Sequence, residues 1–314
     1  RKDMYTQTIK LSIIEYTRIL MKKIILVLML ITSSIVLMAC GDKQEKIVIA
    51  SKPMTEQYII VEMLTYLIED NSDLEVEQKL GIGGGTSNIH PGMVSGTIDM
   101  YPEYTGTGWL FVLEEELIND PDQLYQAVKT SYEEEFNIIW TGLYGFNNTF
   151  GLAMKESLAE SLDISTYSEL AAQSENLVLG AEYDFYERED GYPGLEETYG
   201  FNFDNTRELD IGLKYQAIST DSVDVINIFS TDGRLEEFGL RVLEDDLNFF
   251  PSYYAATLVR QEILEEYPEL ENILAMLEGQ ISDEEMTRMN YLVDIENQDP
   301  KDVAREFLEE KGLR

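Results

Sequence analysis

The stretch Lys46-Ile47-Val48-Ile49-Ala50, followed by Ser51-Lys52-Pro53, indicates the fold class of this chain. Its apolar residues predict a short buried strand. Beyond the proline, apolar residues recur at the spacing of one helix face: Ile59, Ile60, Met63, Leu64 and Leu67. A strand that leads directly into a helix of this kind is the repeating unit of an α/β domain.

The alternation of strands and helices continues along the chain. A second strand is predicted around residues 74–79, a short helix at 88–95 and a third strand at 98–101. Further strands are predicted at 137–140, 150–154, 177–180 and 223–226. The pattern predicts two α/β units of about one hundred residues each, with largely parallel sheets and binding loops at the carboxyl ends of the strands. We expect the ligand site in the cleft between the two units.

The last part of the sequence, from Gln261 onward, is acidic and helical in pattern. Its apolar residues fall on predicted core faces: Leu264, Tyr267, Leu270, Leu274, Met276, Leu277, Met286, Met289 and Leu292. Methionine is a flexible apolar side chain that fills gaps in cores, so this group indicates packing and not a special site.

The N-terminus has the pattern of an export signal. Met21-Lys22-Lys23 is a short basic segment, residues 24–39 form an apolar run, and the run ends at Cys40. It is shorter than the roughly 20 apolar residues of a membrane-spanning helix, so it indicates a cleaved signal peptide. Leu37-Met38-Ala39-Cys40 resembles a bacterial lipobox, which implies cleavage before Cys40 and lipid attachment to its sulfur. We expect residues 1–20 to be an upstream non-native extension, 21–39 the signal peptide and 40–45 a lipid-anchored tether.

The charge balance excludes one class of partner. The chain has 60 acidic and 23 basic residues, a formal net charge of −37. A surface of this kind repels phosphate backbones, so we expect no nucleic-acid partner.

Motifs that carry catalytic or metal chemistry are scarce. Cys40 is the only cysteine and His90 the only histidine, which excludes an intrachain disulfide and a multi-histidine metal site. The glycine-rich segment 81–85 lacks the ending of a phosphate-binding loop, and the acidic runs 114–116 and 133–135 lack the glycine of a calcium loop. We therefore expect no cofactor, no metal and no enzymatic activity.

Aromatic residues recur beside turn-forming and small polar residues, in segments that read as loops. These segments are Tyr101-Pro102-Glu103-Tyr104-Thr105-Gly106-Thr107, Asn147-Asn148-Thr149-Phe150, Phe229-Ser230-Thr231-Asp232-Gly233 and Phe249-Phe250-Pro251-Ser252-Tyr253. Ring faces attract a cation electrostatically without needing a proton to share. Rings gathered from several loops therefore predict a site for a quaternary ammonium group, as in betaine or choline.

From about residue 46 to residue 313, the chain resembles the glycine betaine/carnitine/choline-binding lipoproteins of osmoprotectant ABC importers. The matching motifs are Ala50-Ser51-Lys52, Thr55-Glu56-Gln57, the segment 98–107, Gly145-Phe146-Asn147-Asn148-Thr149, Arg188-Glu189-Asp190-Gly191-Tyr192-Pro193-Gly194 and Phe249-Phe250-Pro251. The resemblance implies a two-lobed type II periplasmic binding protein fold with the ligand cleft between the lobes. It places residues 46–147 and 252–314 in lobe I and residues 148–251 in lobe II.

The resemblance also implies the site residues. The aromatic cage falls on Tyr104, Phe150, Phe229 and Tyr253, and the anchors for a ligand carboxylate fall on Lys52, Thr107 and Arg188. Asn148 matches a polar position at the cage edge, and Gln57 is a further candidate contact.

The chain departs from the family pattern at Phe150 and Phe229, where tyrosine is usual. We expect the cage to survive with fewer hydrogen bonds and weaker affinity for the cation. Tyr101, Tyr192 and Tyr254 are close in sequence to assigned members and are alternatives to them.

These residues predict an extracytoplasmic lipoprotein that captures a quaternary-ammonium osmolyte and delivers it to a membrane permease with its ATPase. We expect a monomer, tethered to the outer face of the cell membrane. Two alternatives remain at this point: the same fold binding another small solute such as an amino acid, and an enzyme on a related two-lobed fold.

Overall fold

The structure is a computed structural model that describes residues 46–235 and 237–314. The predicted extension, signal peptide, lipid-attachment site Cys40 and tether lie outside the described residues. Within the described part of the chain, no helix is long and apolar enough to cross a membrane.

A first five-stranded sheet is built from both ends of the described chain. Its strands are β1 (Lys46–Ala50), β2 (Glu75–Lys79), β3 (Met100–Tyr104), β4 (Ile138–Trp140) and β10 (Ala255–Arg260), in the order β2-β1-β3-β10-β4. Its helices are α1 (Thr55–Asn71), α2 (Thr86–Val94), α3 (Pro121–Phe136), α9 (Gln261–Glu266), α10 (Glu269–Ala275), α11 (Asp283–Asp294) and α12 (Pro300–Glu310). A π-helical turn, Thr107–Val112, follows β3.

A second five-stranded sheet is formed by the middle of the chain. Its strands are β5 (Phe150–Lys155), β6 (Val178–Ala181), β7 (Asn205–Glu208), β8 (Val225–Phe229) and β9 (Leu240–Val242), in the order β7-β6-β8-β5-β9. Its helices are α4 (Glu156–Leu162), α5 (Tyr167–Ala171), α6 (Tyr183–Glu187), α7 (Tyr192–Tyr199) and α8 (Leu213–Ser219), with a 3₁₀ turn at Ser174–Asn176. The two sheets confirm the predicted two-lobed α/β class.

The prediction of largely parallel sheets is confirmed for four of the five strands in each sheet, and the fifth strand, β10 or β5, runs antiparallel to its neighbours. β1 pairs in parallel with β2 and β3, but β10 is antiparallel to β3 and β4. In the second sheet β6 is parallel to β7 and β8, while β5 is antiparallel to β8 and β9. The reason is the route of the chain: β5 and β10 are the strands that arrive from the other sheet, so they enter at the cleft edge and run away from it.

Two connections carry the chain between the sheets, one from β4 to β5 and one from β9 to β10. They lie side by side, since Asn147 forms a β-bridge with Tyr254. The N–H of Asn148 donates to the carbonyl of Tyr253 at 3.0 Å, which extends this contact. The paired connections are therefore the place where the two sheets are joined.

The predicted core faces are confirmed. On α1 the apolar residues Ile59, Ile60, Met63, Leu64 and Leu67 are buried. In the C-terminal helices Met286 and Met289 are buried in the same core, as expected of packing methionines.

Strands β7, β9 and β10 were not predicted. The first two are short edge strands. β10, with the sequence Ala-Ala-Thr-Leu-Val-Arg, begins with two alanines, which have little preference for strands. Its place between β3 and β4 makes it a strand, so tertiary pairing decided its structure.

Candidate ligand-binding site

A cavity of about 590 Å³ lies between the two sheets, where the carboxyl ends of β1, β3, β6, β7 and β8 meet. Eight of the nine predicted ligand-binding residues line it: Lys52, Tyr104, Thr107, Asn148, Phe150, Arg188, Phe229 and Tyr253. They come from loops and strand ends far apart in the sequence, so the fold gathers them. The cavity volume falls within the range of small-molecule sites, which runs from about 300 to about 1,000 Å³.

Four aromatic side chains form one wall of the cavity. Tyr104 ends β3, Phe150 begins β5, Phe229 ends β8 and Tyr253 precedes β10. Phe150 and Phe229 are direct partners in the β5–β8 register, with ring centroids 5.3 Å apart. The Tyr253 ring meets Phe150 edge to face at 5.4 Å. Strand pairing therefore brings three of the four predicted cage rings into contact.

Lys52 is a buried cation at this wall. Its Nζ lies 2.5 Å from Oε1 of Glu103 and 4.8 Å from the centroid of the Tyr104 ring. Burial lowers the pKa of Lys52, and the charge of Glu103 opposes that change. Glu103 also accepts hydrogen bonds from the hydroxyls of Thr86 and Tyr101, which hold this carboxylate in place.

Arg188 supplies a second buried cation, from the segment between α6 and α7. Its Nε and Nη2 donate to the two carboxylate oxygens of Asp190 at 2.7 and 2.5 Å. Its guanidinium lies 4.9 Å from the Phe111 ring and 5.4 Å from the Phe150 ring. Burial alone would lower the pKa of Arg188, but the charge of Asp190 outweighs it and the pKa is raised.

Arg188 also connects the two sides of the cleft. Its Nη2 donates to the hydroxyl of Thr107, which follows the first sheet's β3, at 3.3 Å. The Tyr253 hydroxyl donates to Asp190 at 2.6 Å. Burial, followed by the charge of Asp190, raises the pKa of Tyr253 well above its ordinary value, so the phenol keeps its proton. One carboxylate therefore orients both a predicted anchor and a predicted cage ring.

Gln57 lies behind the wall and does not line the cavity. It is fully buried, and its Nε2 donates to the carbonyl of Pro102 and to the hydroxyl of Tyr104, both at 3.1 Å. Its Oε1 accepts the N–H of Lys52 at 3.3 Å. The structure therefore places Gln57 as a support for Tyr104 and Lys52. Tyr101, Tyr192 and Tyr254 are also outside the cavity lining.

Glu56 is a functional candidate that the sequence reasoning missed. Its buried carboxylate accepts hydrogen bonds from the Tyr104 hydroxyl and from side chains of Asn148, Thr231 and Asn290. Burial raises the pKa of Glu56, while these four donors oppose the rise. The residue stands in the quoted motif Thr55-Glu56-Gln57, but nothing in the motif says which of its side chains faces the site.

Lys214 was also missed. It is fully buried on α8, with its Nζ 2.5 Å from Glu182 and 4.8 Å from the centroid of the Phe229 ring. No pattern in the sequence sets Lys214 apart from a surface lysine. Lys214 does not itself line the cavity, but its partner Glu182 does, together with three other carboxylates: Asp184, Glu208 and Asp210. Among the described residues, no group of three or more His, Cys, Asp or Glu side chains is placed to hold a metal ion.

Comparison with known proteins relates this chain to transport proteins. The family described as the substrate binding domain of ABC-type glycine betaine transport systems matches residues 45–310. A Helicobacter pylori protein named ergothioneine transport permease/ergothioneine binding protein EgtU is 42% identical over 286 residues, covering 91% of this chain and 51% of the relative. This chain thus spans about half the length of that relative.

Two further relatives align over most of their length. The carnitine transport binding protein OpuCC of Listeria monocytogenes is 36% identical, covering 90% of this chain and 94% of the relative. A solved structure described as a glycine betaine/carnitine/choline ABC transporter is 34% identical, with a TM-score of 0.68, covering 85% of this chain and 98% of that chain. This chain therefore belongs to the family of substrate-binding domains of ABC-type glycine betaine transport systems.

Proposed function

We propose that this protein captures a trimethylammonium solute that carries a carboxylate and delivers it to an ABC permease for import. The observation that carries the proposal is that the four predicted cage rings and the three predicted anchors line a single cavity between the two sheets. A cation site made of rings and an anion site made of Lys and Arg match the two ends of a betaine.

The head group is held by ring faces. Each ring face that meets a desolvated cation contributes about 0.5–2 kcal/mol. Phe150 and Phe229 keep the π-face of tyrosine without its hydroxyl, and their β-pairing fixes their separation. The cage thus relies on ring faces and on the oriented hydroxyls of Tyr104 and Tyr253, which donate to Glu56 and Asp190.

The carboxylate is held by Lys52, Arg188 and Thr107. Both cations already have a buried acidic partner, Glu103 for Lys52 and Asp190 for Arg188. Each cation therefore binds the ligand through the N–H groups that do not contact its acidic partner. A lysine ammonium has three N–H donors and an arginine guanidinium has five. Because each buried charge pair is close to neutral, the site also tolerates choline, which has no carboxylate.

A second, larger ligand class is favoured by the carboxylates that line the cavity. Glu182, Asp184 and Asp210 are among the lining residues and offer acceptors for N–H groups. The relative with 42% identity is named for ergothioneine, a betaine that bears a ring with N–H groups. We therefore propose ergothioneine-like betaines as the alternative to glycine betaine, carnitine and choline.

Transport requires partners beyond this chain. We propose that residues 46–147 with 252–314, and residues 148–251, act as two lobes that close on the ligand around the paired connections. We propose that the permease, together with its ATPase, recognises and binds the closed form. We also propose that the protein is a monomer held at the outer face of the membrane by lipid on Cys40, and that it performs no reaction on its ligand.

Isothermal titration calorimetry of the purified protein tests this function. Glycine betaine, choline, carnitine, ergothioneine and a panel of neutral amino acids are titrated separately, and the recovered ligand is checked by NMR. We expect saturable one-site binding of a trimethylammonium compound, lost when Tyr104 and Tyr253 are both replaced by alanine. Binding of an amino acid that survives these replacements contradicts the cage, and chemical change of the ligand contradicts the transport role.

A further inference from the structure

Glu56 lies behind the ligand wall, in contact with the first of the two inter-sheet connections. It is the second residue of α1 and is 2% exposed. Its Oε1 accepts the Tyr104 hydroxyl and the Asn148 amide, the latter at 2.8 Å. Its Oε2 accepts the Thr231 hydroxyl at 2.6 Å and the Asn290 amide at 3.4 Å. Asn148 belongs to the first connection and Thr231 follows β8, so one carboxylate contacts elements of both sheets.

Every side chain that contacts the Glu56 carboxylate donates a hydrogen bond to it, which favours its charged form. The amides of Asn148 and Asn290 turn their NH₂ groups toward it, and their carbonyl oxygens are left buried without a partner. Within the described residues no Lys or Arg forms an ion pair with Glu56. Lys52 and Arg234, which line cavities at this wall, are paired with Glu103 and Asp294 instead.

Only a thin layer of side chains separates this charge from the ligand cavity. A smaller cavity of about 230 Å³ adjoins the larger one and is lined by Glu56. Asn148 and Phe229 line both cavities. Tyr104 donates its hydroxyl to Glu56 and lines the ligand cavity with its ring. The Glu56 carboxylate therefore lies directly behind the ring of Tyr104, a predicted cage member.

We propose that Glu56 is a positioning residue that makes the cage selective for a positively charged head group. Its carboxylate accepts a hydrogen bond from the Tyr104 phenol, which polarises the ring and fixes its orientation. It also adds a negative potential that water screens only weakly, because Glu56 is 2% exposed. Ring faces favour a cation but also accept neutral apolar groups, so this charge widens the preference for a trimethylammonium head over a neutral one of the same shape. The inference rests on the proposed function.

The test compares two ligands that differ only in head-group charge. Glycine betaine and tert-butylacetate, the carboxylate of tert-butylacetic acid, have the same shape. In tert-butylacetate a neutral carbon replaces the quaternary nitrogen. Calorimetry or competition gives both affinities for the wild type, for Glu56→Gln and for Glu134→Gln, which removes one charge from an exposed helix face. Thermal melts show whether each variant is folded.

We expect Glu56→Gln to weaken the binding of glycine betaine by about tenfold to fiftyfold. This is the effect of two opposite unit charges about 7 Å apart at an effective dielectric constant of about 20. The same variant should leave the affinity for tert-butylacetate unchanged or slightly higher. Glu134→Gln should leave the affinities for both ligands unchanged. Equal weakening of both ligands overturns the inference, because it is the result of a structural role alone. An unchanged preference for the charged ligand also overturns it.

Tyr104→Phe keeps the inference testable if Glu56→Gln does not fold. This variant keeps the ring but breaks its hydrogen bond to the carboxylate. We expect the preference for glycine betaine over tert-butylacetate to fall by about threefold or more, since part of the effect passes through the phenol. An unchanged preference refutes the contribution that passes through the Tyr104 phenol, while the proposed function stands. Absence of glycine betaine binding to the wild type refutes that ligand assignment, and this inference with it.

Discussion

Replacing Asp190 by asparagine is the sharpest test of how Arg188, a predicted anchor, is held. Arg188 and Asp190 are 6% and 5% exposed and share two hydrogen bonds, at 2.7 and 2.5 Å. Asparagine has the same shape, so the variant removes the charge and leaves the packing. The guanidinium then remains buried without a counter-charge, and Tyr253 loses the acceptor for its hydroxyl.

The expected loss of stability follows from this burial. Breaking a buried ion pair by removing one partner typically lowers the free energy of unfolding by about 3–5 kcal/mol. For a domain of this size, roughly 2–4 °C of melting temperature is lost per kcal/mol, which gives a decrease on the order of 10 °C. A ligand carboxylate would restore a negative charge beside Arg188. Glycine betaine should therefore raise the melting temperature of Asp190→Asn by more than it raises that of the wild type.

The assay is thermal and urea unfolding of both proteins, with and without glycine betaine. Asp302→Asn is the matched control, because it removes one charge from an exposed pair with Arg305. An exposed pair contributes little, so this control should melt close to the wild type. If Asp190→Asn is as stable as the control, the buried pair does not hold Arg188. If choline stabilises the variant as much as glycine betaine does, Arg188 does not face the ligand carboxylate.

Three further predictions concern the cage and its buried charges. Gly106→Ala should weaken ligand binding in calorimetry, because a Cβ there would lie 2.6 Å from the Tyr253 ring; unchanged affinity would show that this ring is not at the ligand. Glu182→Gln should lower the free energy of unfolding by about 3–5 kcal/mol, because it leaves the Lys214 ammonium buried without its counter-charge. Adding Lys214→Met to this variant should recover most of the lost stability. A double variant that is no more stable than Glu182→Gln would contradict this cause. Burial lowers the pKa of Lys52, so near this pKa the unfolded chain binds more protons than the folded one. The unfolding free energy of the wild type minus that of Lys52→Met should therefore rise as the pH increases toward 10.5. A difference that stays flat or falls would refute this prediction.

Local sequence patterns were sufficient for the class of fold and for the core. The strand 46–50 and the apolar face of α1 are properties of neighbouring residues, because strand and helix periodicities span only a few positions. The antiparallel course of β5 and β10 is not a local property. It depends on the chain leaving one sheet for the other and returning, which no window of sequence records.

The same division applies to the candidate site. Loop composition and family motifs indicated the rings and the cations that line the cavity. They did not indicate that Gln57 supports Tyr104 from behind, or that Glu56 gathers four donors. Thr231 lies 175 positions from Glu56 in the sequence, and only the closure of the fold brings the two together.

The sequence by itself thus determined which residue types are available: the rings of the predicted cage, the predicted anchors Lys52 and Arg188, and apolar faces for two cores. The tertiary structure alone decided the pairings, with Glu103 beside Lys52, Asp190 beside Arg188 and Tyr253, and Glu182 beside Lys214. The physical reason is that a buried charge must be matched by another in space, and spatial neighbours are set by sheet order and not by distance along the chain.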